Sequence, residues 1–250
     1  MWGDFVMKKT MFYRGLFYVS GLLILALGLS LNTKAGLGVS AIISVSYAIS
    51  AVTGISFGNT TLGLYILFIA VELVLHGIRE KRYRAKSPEA LKHANKTNRK
   101  LIFLMDILQF PLSIVFTRFL NLFSNLIPPL YTEGDHGIGQ YAFRLVMVTL
   151  AIIITGIGAA MSLAMRIVPN PGDGIVQAVA DCIQKDVGFT KNCMDVVNIT
   201  VAAVIGICFA GRLEGVGIGT VMAVIGVGRS MAVFNRLTYK KMTELAGIEQ

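Results

Sequence analysis

The stretch Asn170–Asp186, NPGDGIVQAVADCIQKD, decides how this chain is read. A proline and glycines break the chain, and a helical pattern then runs over residues 173–186. That is about 14 residues, or roughly 21 Å at helical rise, whereas a membrane crossing takes about 20 mostly apolar residues. Asp173, Gln177, Asp181, Gln184, Lys185 and Asp186 also make the stretch too polar to face lipid. A second stretch, 38–52, shares both properties, with Ser40, Ser44, Ser46 and Ser50 along it. Around these two lie six apolar runs of spanning length, at 12–32, 59–77, 101–124, 141–165, 192–210 and 215–235.

Composition agrees with a membrane setting. Hydrophobic residues make up 54% and charged residues 15% of the 250, and the mean hydropathy is +0.67. A soluble domain averages about 25% charged residues, so too few are present to coat a water-facing surface. The apolar run after Lys8, Lys9 and Arg14 is longer than a signal-peptide core and lacks a clean cleavage site, so it is read as a retained first span. The net charge of +9 reads as orientation, because no RNA-binding signature or base-stacking platform accompanies it. Nine of the 23 Lys and Arg lie between Arg79 and Lys100, in a basic loop placed at 78–100. Others cluster at the N-terminus, around the second half-helix (Arg166, Lys185, Lys191) and at Arg236, Lys240 and Lys241.

The positive-inside rule then tests whether the two short stretches cross. A full crossing by 38–52 would put the first two basic clusters on opposite sides; entry and return on one face keeps both inside. The same holds for 173–186. The expected fold class is an all-α polytopic membrane protein with six transmembrane helices and two re-entrant half-helices. It is a single membrane domain over 1–250, with both termini cytoplasmic. Repeat one covers 13–125 and repeat two 141–240, overlaid by matching Gly38 to Gly174 and Gly54 to Gly188. Each repeat has three crossings, so the second enters from the opposite face and the repeat is inverted.

Taken in order, the glycine motifs resemble the YczE/YyaS/YitT group of bacterial integral membrane proteins. The resemblance rests on Gly36-Leu37-Gly38, Gly54 and Phe57-Gly58 in the first half. In the second half it rests on Pro171-Gly172-Asp173-Gly174, Gly217-Ile218-Gly219-Thr220 and Gly226, and it covers about 13–238. It implies a transporter-like protein of the bacterial cytoplasmic membrane, without a defined substrate.

The candidate site lies between Gly36–Ser40 and Gly172–Asp181. Ionisable residues inside a bundle are costly and tend to face a cavity or a partner. Asp173 is placed to cap the second half-helix, and Gln177 and Asp181 follow on the same face as a polar wall. Gly36, Gly38 and Ser40 open the first half-helix; Gly172, Asp173 and Gly174 open the second. Free N–H groups at two such helix starts attract an anion, so a small organic anion is one candidate substrate. Asp106, Gln109, Arg118 and Asn198 are further lining candidates. Arg118 has three open roles: binding an anion, pairing with a carboxylate, or reaching outward. Glu72 and His76 stand i,i+4 near the cytoplasmic boundary, where a solvated pair is expected.

Catalysis is not expected, since no nucleophile–base constellation or phosphate loop is present. Cys182, Cys193 and Cys208 lack metal or redox spacing and read as buried small side chains. No cofactor, metal or nucleic-acid partner is expected; the partners are the lipid bilayer and a small-molecule or ion substrate. The leading expectation is a gradient-driven secondary transporter. The alternatives are a channel of the same architecture and a non-transporting scaffold that uses the basic loop.

Overall fold

A computed structural model describes the backbone of residues 2–86, 96–131 and 137–248 and the side chains of 10–79, 103–131 and 137–248. Among these residues the chain forms eight helices: α1 (Trp2–Ala35), α2 (Ala41–Thr53), α3 (Phe57–Lys86), α4 (Lys96–Leu126), α5 (Ile138–Ala164), α6 (Pro171–Ile183), α7 (Val187–Ile205) and α8 (Ile218–Leu245). A π-helical turn, Gly206–Ala210, prolongs α7. Six helices are long and apolar enough to span a membrane: Thr10–Ala35, Phe57–Arg79, Phe103–Leu126, Ile138–Ala164, Val187–Ala210 and Ile218–Leu245. The molecule is an all-helical polytopic membrane protein, and α2 and α6, at 13 residues each, are too short to cross. Most of the basic segment belongs to helices rather than to a loop, since α3 runs on to Lys86 and α4 begins at Lys96. Its centre, 87–95, lies outside the described residues. Residues 132–136 lie outside them too.

Contacts fix which helix ends lie together. At one end, the far end, Arg144 Nε donates to the Ala35 carbonyl over 2.8 Å and the Leu130 amide to Lys34 O over 2.9 Å. There too the Gly58 amide donates to Asn121 Oδ1 over 2.7 Å. At the other, the near end, Arg14 holds the Met165 and Arg166 carbonyls, each at 2.9 Å. Thr10 also packs against Gly247 there. Helices α1, α3 and α4 therefore run near-to-far, far-to-near and near-to-far, and α5, α7 and α8 run in the opposite senses. Helix α2 starts inside the molecule and returns to the far end, where Tyr47 meets Phe57 edge-on. Helix α6 starts inside and returns to the near end, where Asp181 meets Arg79 at 2.6 Å. The two half-helices exchange neighbours, α2 packing on α7 and α6 on α3.

The centre is the crossing of α1 with α5, the most extensive helix pairing in the molecule. Small residues let backbones approach closely in membrane bundles. A Cβ added at Gly158 would strike the backbone of Leu25, and one at Gly28 the backbone of Thr155. Gly21 and Gly28 of α1 both lie in this seam, whereas Gly15 faces open space.

The half-helices also correct the repeat register. Asn170, not Asp173, caps α6: its side chain accepts from the Gly172 amide at 3.1 Å. Pro171 is suited to the first helical position because it lacks an N–H and fixes φ, so the cap falls on the residue before it. Ser40 occupies the same place before α2. Both half-helices end on a left-handed residue, Gly54 at φ 72° and Gln184 at φ 57°. Ser40 thus corresponds to Asn170 and Gly54 to Gln184, and Gly38 corresponds to Val168 rather than to Gly174.

Candidate functional site

The starts of α2 and α6 meet in the middle of the bundle. Gly172 permits it: a Cβ there would lie 2.6 Å from the Ile42 methyl group. Beside this contact is a cavity of about 80 Å³. A water needs only about 10–15 Å³ of such space, so there is room for several waters or one small solute. Leu25, Leu29, Ala159, Ala223 and Val227 give it apolar walls, while Ser40, Tyr65, Asn170, Asp173, Lys191 and Asp195 bring the polar groups. Lys191 and Asp195 are one helical turn apart on α7 and pair at 2.9 Å, with Asp195 buried. The cavity therefore holds one cation, two carboxyl groups and the first turns of two helices. Such a set presents charged and hydrogen-bonding partners against otherwise apolar walls.

A second polar cluster lies between α3, α4 and α6, on the near-end side of the cavity. The Gln109 amide donates to Glu72 Oε2 over 2.8 Å. Glu72 and Gln109 are each 1% exposed. His76 Nδ1 meets Asp106 Oδ2 at 2.8 Å. Asp181 takes Arg79 on one oxygen and the Gln177 amide, at 2.9 Å, on the other. Gly174 turns its bare face to Glu72, whose oxygen would sit 2.7 Å from an added Cβ.

The expected site residues fall into separate places. Ser40, Gly172 and Asp173 line the cavity. Gly36 and Gly38, at φ 64° and 104°, instead shape the turn into α2. Gly36 lies against Tyr131 and Arg144, and Gly38 against Gly217 and Thr220. Gly174, Asp106 and Gln109 belong to the second cluster. Asp173, Gln177 and Asp181 do not form one wall: Gln177 is exposed and Asp181 closes on Arg79. Arg118 reaches outward, donating to Asn59 Oδ1 at 3.1 Å, because its face of α4 looks away from the bundle. Asn198 is buried on α7 beyond Asp195 and does not line the cavity.

Two readings need correction. Glu72 and His76 are not a solvated pair, because α6 and α4 cover that face of α3. Cys193 and Cys208 are exposed on the bundle's outer surface rather than buried. Among the described residues no group of His, Cys, Asp and Glu is arranged to hold a metal. Sequence reasoning gave Lys191 only a role in orientation and left Tyr65 and Asp195 out of the site. The signal for Lys191 was its i,i+4 spacing to Asp195, a pairing distance on a helix.

The model of one protein family, described as a family of unknown function (DUF6198), matches residues 12–88 and 94–236. No curated protein and no solved structure matches the chain.

Proposed function

We propose that this chain, which belongs to the DUF6198 family of unknown function, is a small gradient-driven secondary transporter. The observation that carries the reading is the charged cavity between the facing starts of two half-helices that enter from opposite ends. Broken helices meeting near the midplane of an inverted repeat are a recurring transporter plan. The resemblance of the glycine motifs to the YczE/YyaS/YitT group supports the same assignment.

The substrate is a small polar solute with at least one anionic group. The first turn of α2 offers backbone donors and both helix starts turn positive dipole ends to that group, while the α6 amides of Gly172, Asp173 and Gly174 already donate to Asn170; Lys191 offers a counter-charge. Asp173 and Asp195 stand where a positive or hydrogen-bond-donating part of the solute would lie. Access alternates as α2 and its neighbours move against α6 and its neighbours. The membrane is the bacterial cytoplasmic membrane, with the near end inside. That end gathers the N-terminal and C-terminal basic clusters and the basic residues of 79–86 and 96–100, which belong on the cytoplasmic face.

The test is uptake by the purified chain in proteoliposomes across a panel of small carboxylates, amino acids and neutral solutes. Saturable, gradient-driven uptake of one class is expected, with a loss of at least tenfold in Asp195→Asn. Fast flux without saturation would make the protein a channel. No flux with any solute would leave the scaffold reading in its place.

A further inference from the structure

The second cluster holds two buried acceptors in need of the same thing. Gln109 gives its amide hydrogen to Glu72 Oε2, which leaves Glu72 Oε1 and Gln109 Oε1 as buried oxygens with no hydrogen-bond partner. An unmade hydrogen bond on a buried polar atom costs about 1–3 kcal/mol, and more for a charged one. One proton on Glu72 Oε1 supplies the donor both lack. A carboxylic acid facing a primary amide can then make the reciprocal pair, N–H to C=O and O–H to C=O. With a charge of −1, by contrast, the 1% exposed carboxylate would sit in a site almost without solvent.

The surroundings suit a proton that comes and goes. On its own helix Glu72 is followed by His76 and Arg79, at i+4 and i+7 on one face. Asp106 and Gln109 face it from α4, and Gly174, Gln177 and Asp181 come from α6. Arg79 is neutralised by Asp181 at 2.6 Å. His76, bound through Nδ1 to Asp106, has its other ring nitrogen to take a proton and release it, the familiar shuttle role of imidazole. These groups step from Glu72 toward the near end. In the other direction, the first turn of α6 joins the cluster to the cavity: Asn170, Gly172 and Asp173 line the cavity, while Gly174 lies against Glu72.

We propose that Glu72 is the coupling site of the transporter, binding one proton as a neutral carboxyl paired with Gln109 and exchanging it with the near end through His76 and Asp106. The proton adds to the Glu72 carboxylate and leaves to the His76 imidazole, so charge is conserved at each step. A solute that shifts the first turn of α6 changes the packing on Glu72, and that shared turn ties release of the proton to occupancy of the cavity. The role in coupling rests on the transporter reading above; proton binding itself does not.

Infrared difference spectroscopy of the full chain in lipid nanodiscs, neutral against alkaline pH and with no transported solute, tests the site. A carbonyl band of a protonated carboxyl is expected at neutral pH, lost in Glu72→Gln and shifted in Gln109→Leu. If Glu72→Gln does not fold, the shift in Gln109→Leu decides by itself. A missing band in the unaltered protein, or a band that neither substitution changes, overturns the proposal. So does a band that sodium ions remove at constant pH, which would make the site a metal-cation site. Because no solute is added, a missing band leaves the transporter reading standing. A panel of solutes without flux would sink that reading while leaving the band in place.

Discussion

Lys191 and Asp195 show how one residue's environment sets its worth. Asp195 is 5% exposed at its side chain and Lys191 43%, so the ion pair has one dry partner and one wet one. Removing the lysine strands a buried carboxylate, a loss of several kcal/mol for a fully buried pair that exposure of Lys191 reduces to about 1–2 kcal/mol. Lys191→Met is therefore expected to lower the thermal midpoint of the detergent-purified protein. Lys191→Met with Asp195→Asn should recover most of that loss, because the stranded charge is gone. Equal destabilisation by the single and double variants would show that the pair contributes only packing. Glu72 teaches the complementary point. Its i,i+4 spacing to His76 is visible in the sequence, but its dryness is conferred by Gly174 and Gln109 from helices far away in the chain.

Half-helices α2 and α6 owe their lengths to their ends. Asn170 caps α6, and replacing a capping Asn with Ala costs about 1 kcal/mol. A change at the neighbouring Gly172 has a different reach. Gly172→Val is expected to force Ile42 aside and part the two helix starts, reducing uptake more than tenfold while circular dichroism shows unchanged helix content. Normal uptake by that variant would detach the cavity from transport. At this scale the sequence was informative about existence and poor about register. The six spans were legible because apolar runs and basic clusters are strong, additive signals. The start of α6 was misplaced to Asp173 because two good cap residues, Asn170 and Asp173, flank Pro171-Gly172, and only the proline's missing N–H selects between them. The left-handed Gln184 gave no warning, since nothing in a glutamine announces a positive φ. The ends of α3 and α8 ran past their apolar cores because Lys, Arg and Glu are good helix formers once a helix has begun. Of the candidate site, Ser40, Gly172 and Asp173 were legible from chain breaks beside polar residues. Lys191 and Tyr65 were not, as they reach the cavity from spans that look ordinary.

The whole molecule makes a claim about sidedness. The loop after α2 and the loop after α6 open at opposite ends, where Ser56 and Lys185 are both exposed. In a chain freed of Cys182, Cys193 and Cys208, Ser56→Cys and Lys185→Cys should label from opposite sides of sealed vesicles with a membrane-impermeant maleimide. Labelling of both from one side would overturn the opposed arrangement. The crossing of α1 with α5 has a consequence of another kind. Between residues 15 and 33 of α1, and between 145 and 164 of α5, there is no acidic or basic side chain; the glycine seam joins them backbone to backbone. Every titratable group within the cavity and the proton cluster hangs instead on α3, α4, α6 or α7. The molecule is thus an electrically inert axle carrying a chargeable rim. Within these stretches, acid, salt or membrane voltage finds nothing charged to act on in the axle and acts on the rim.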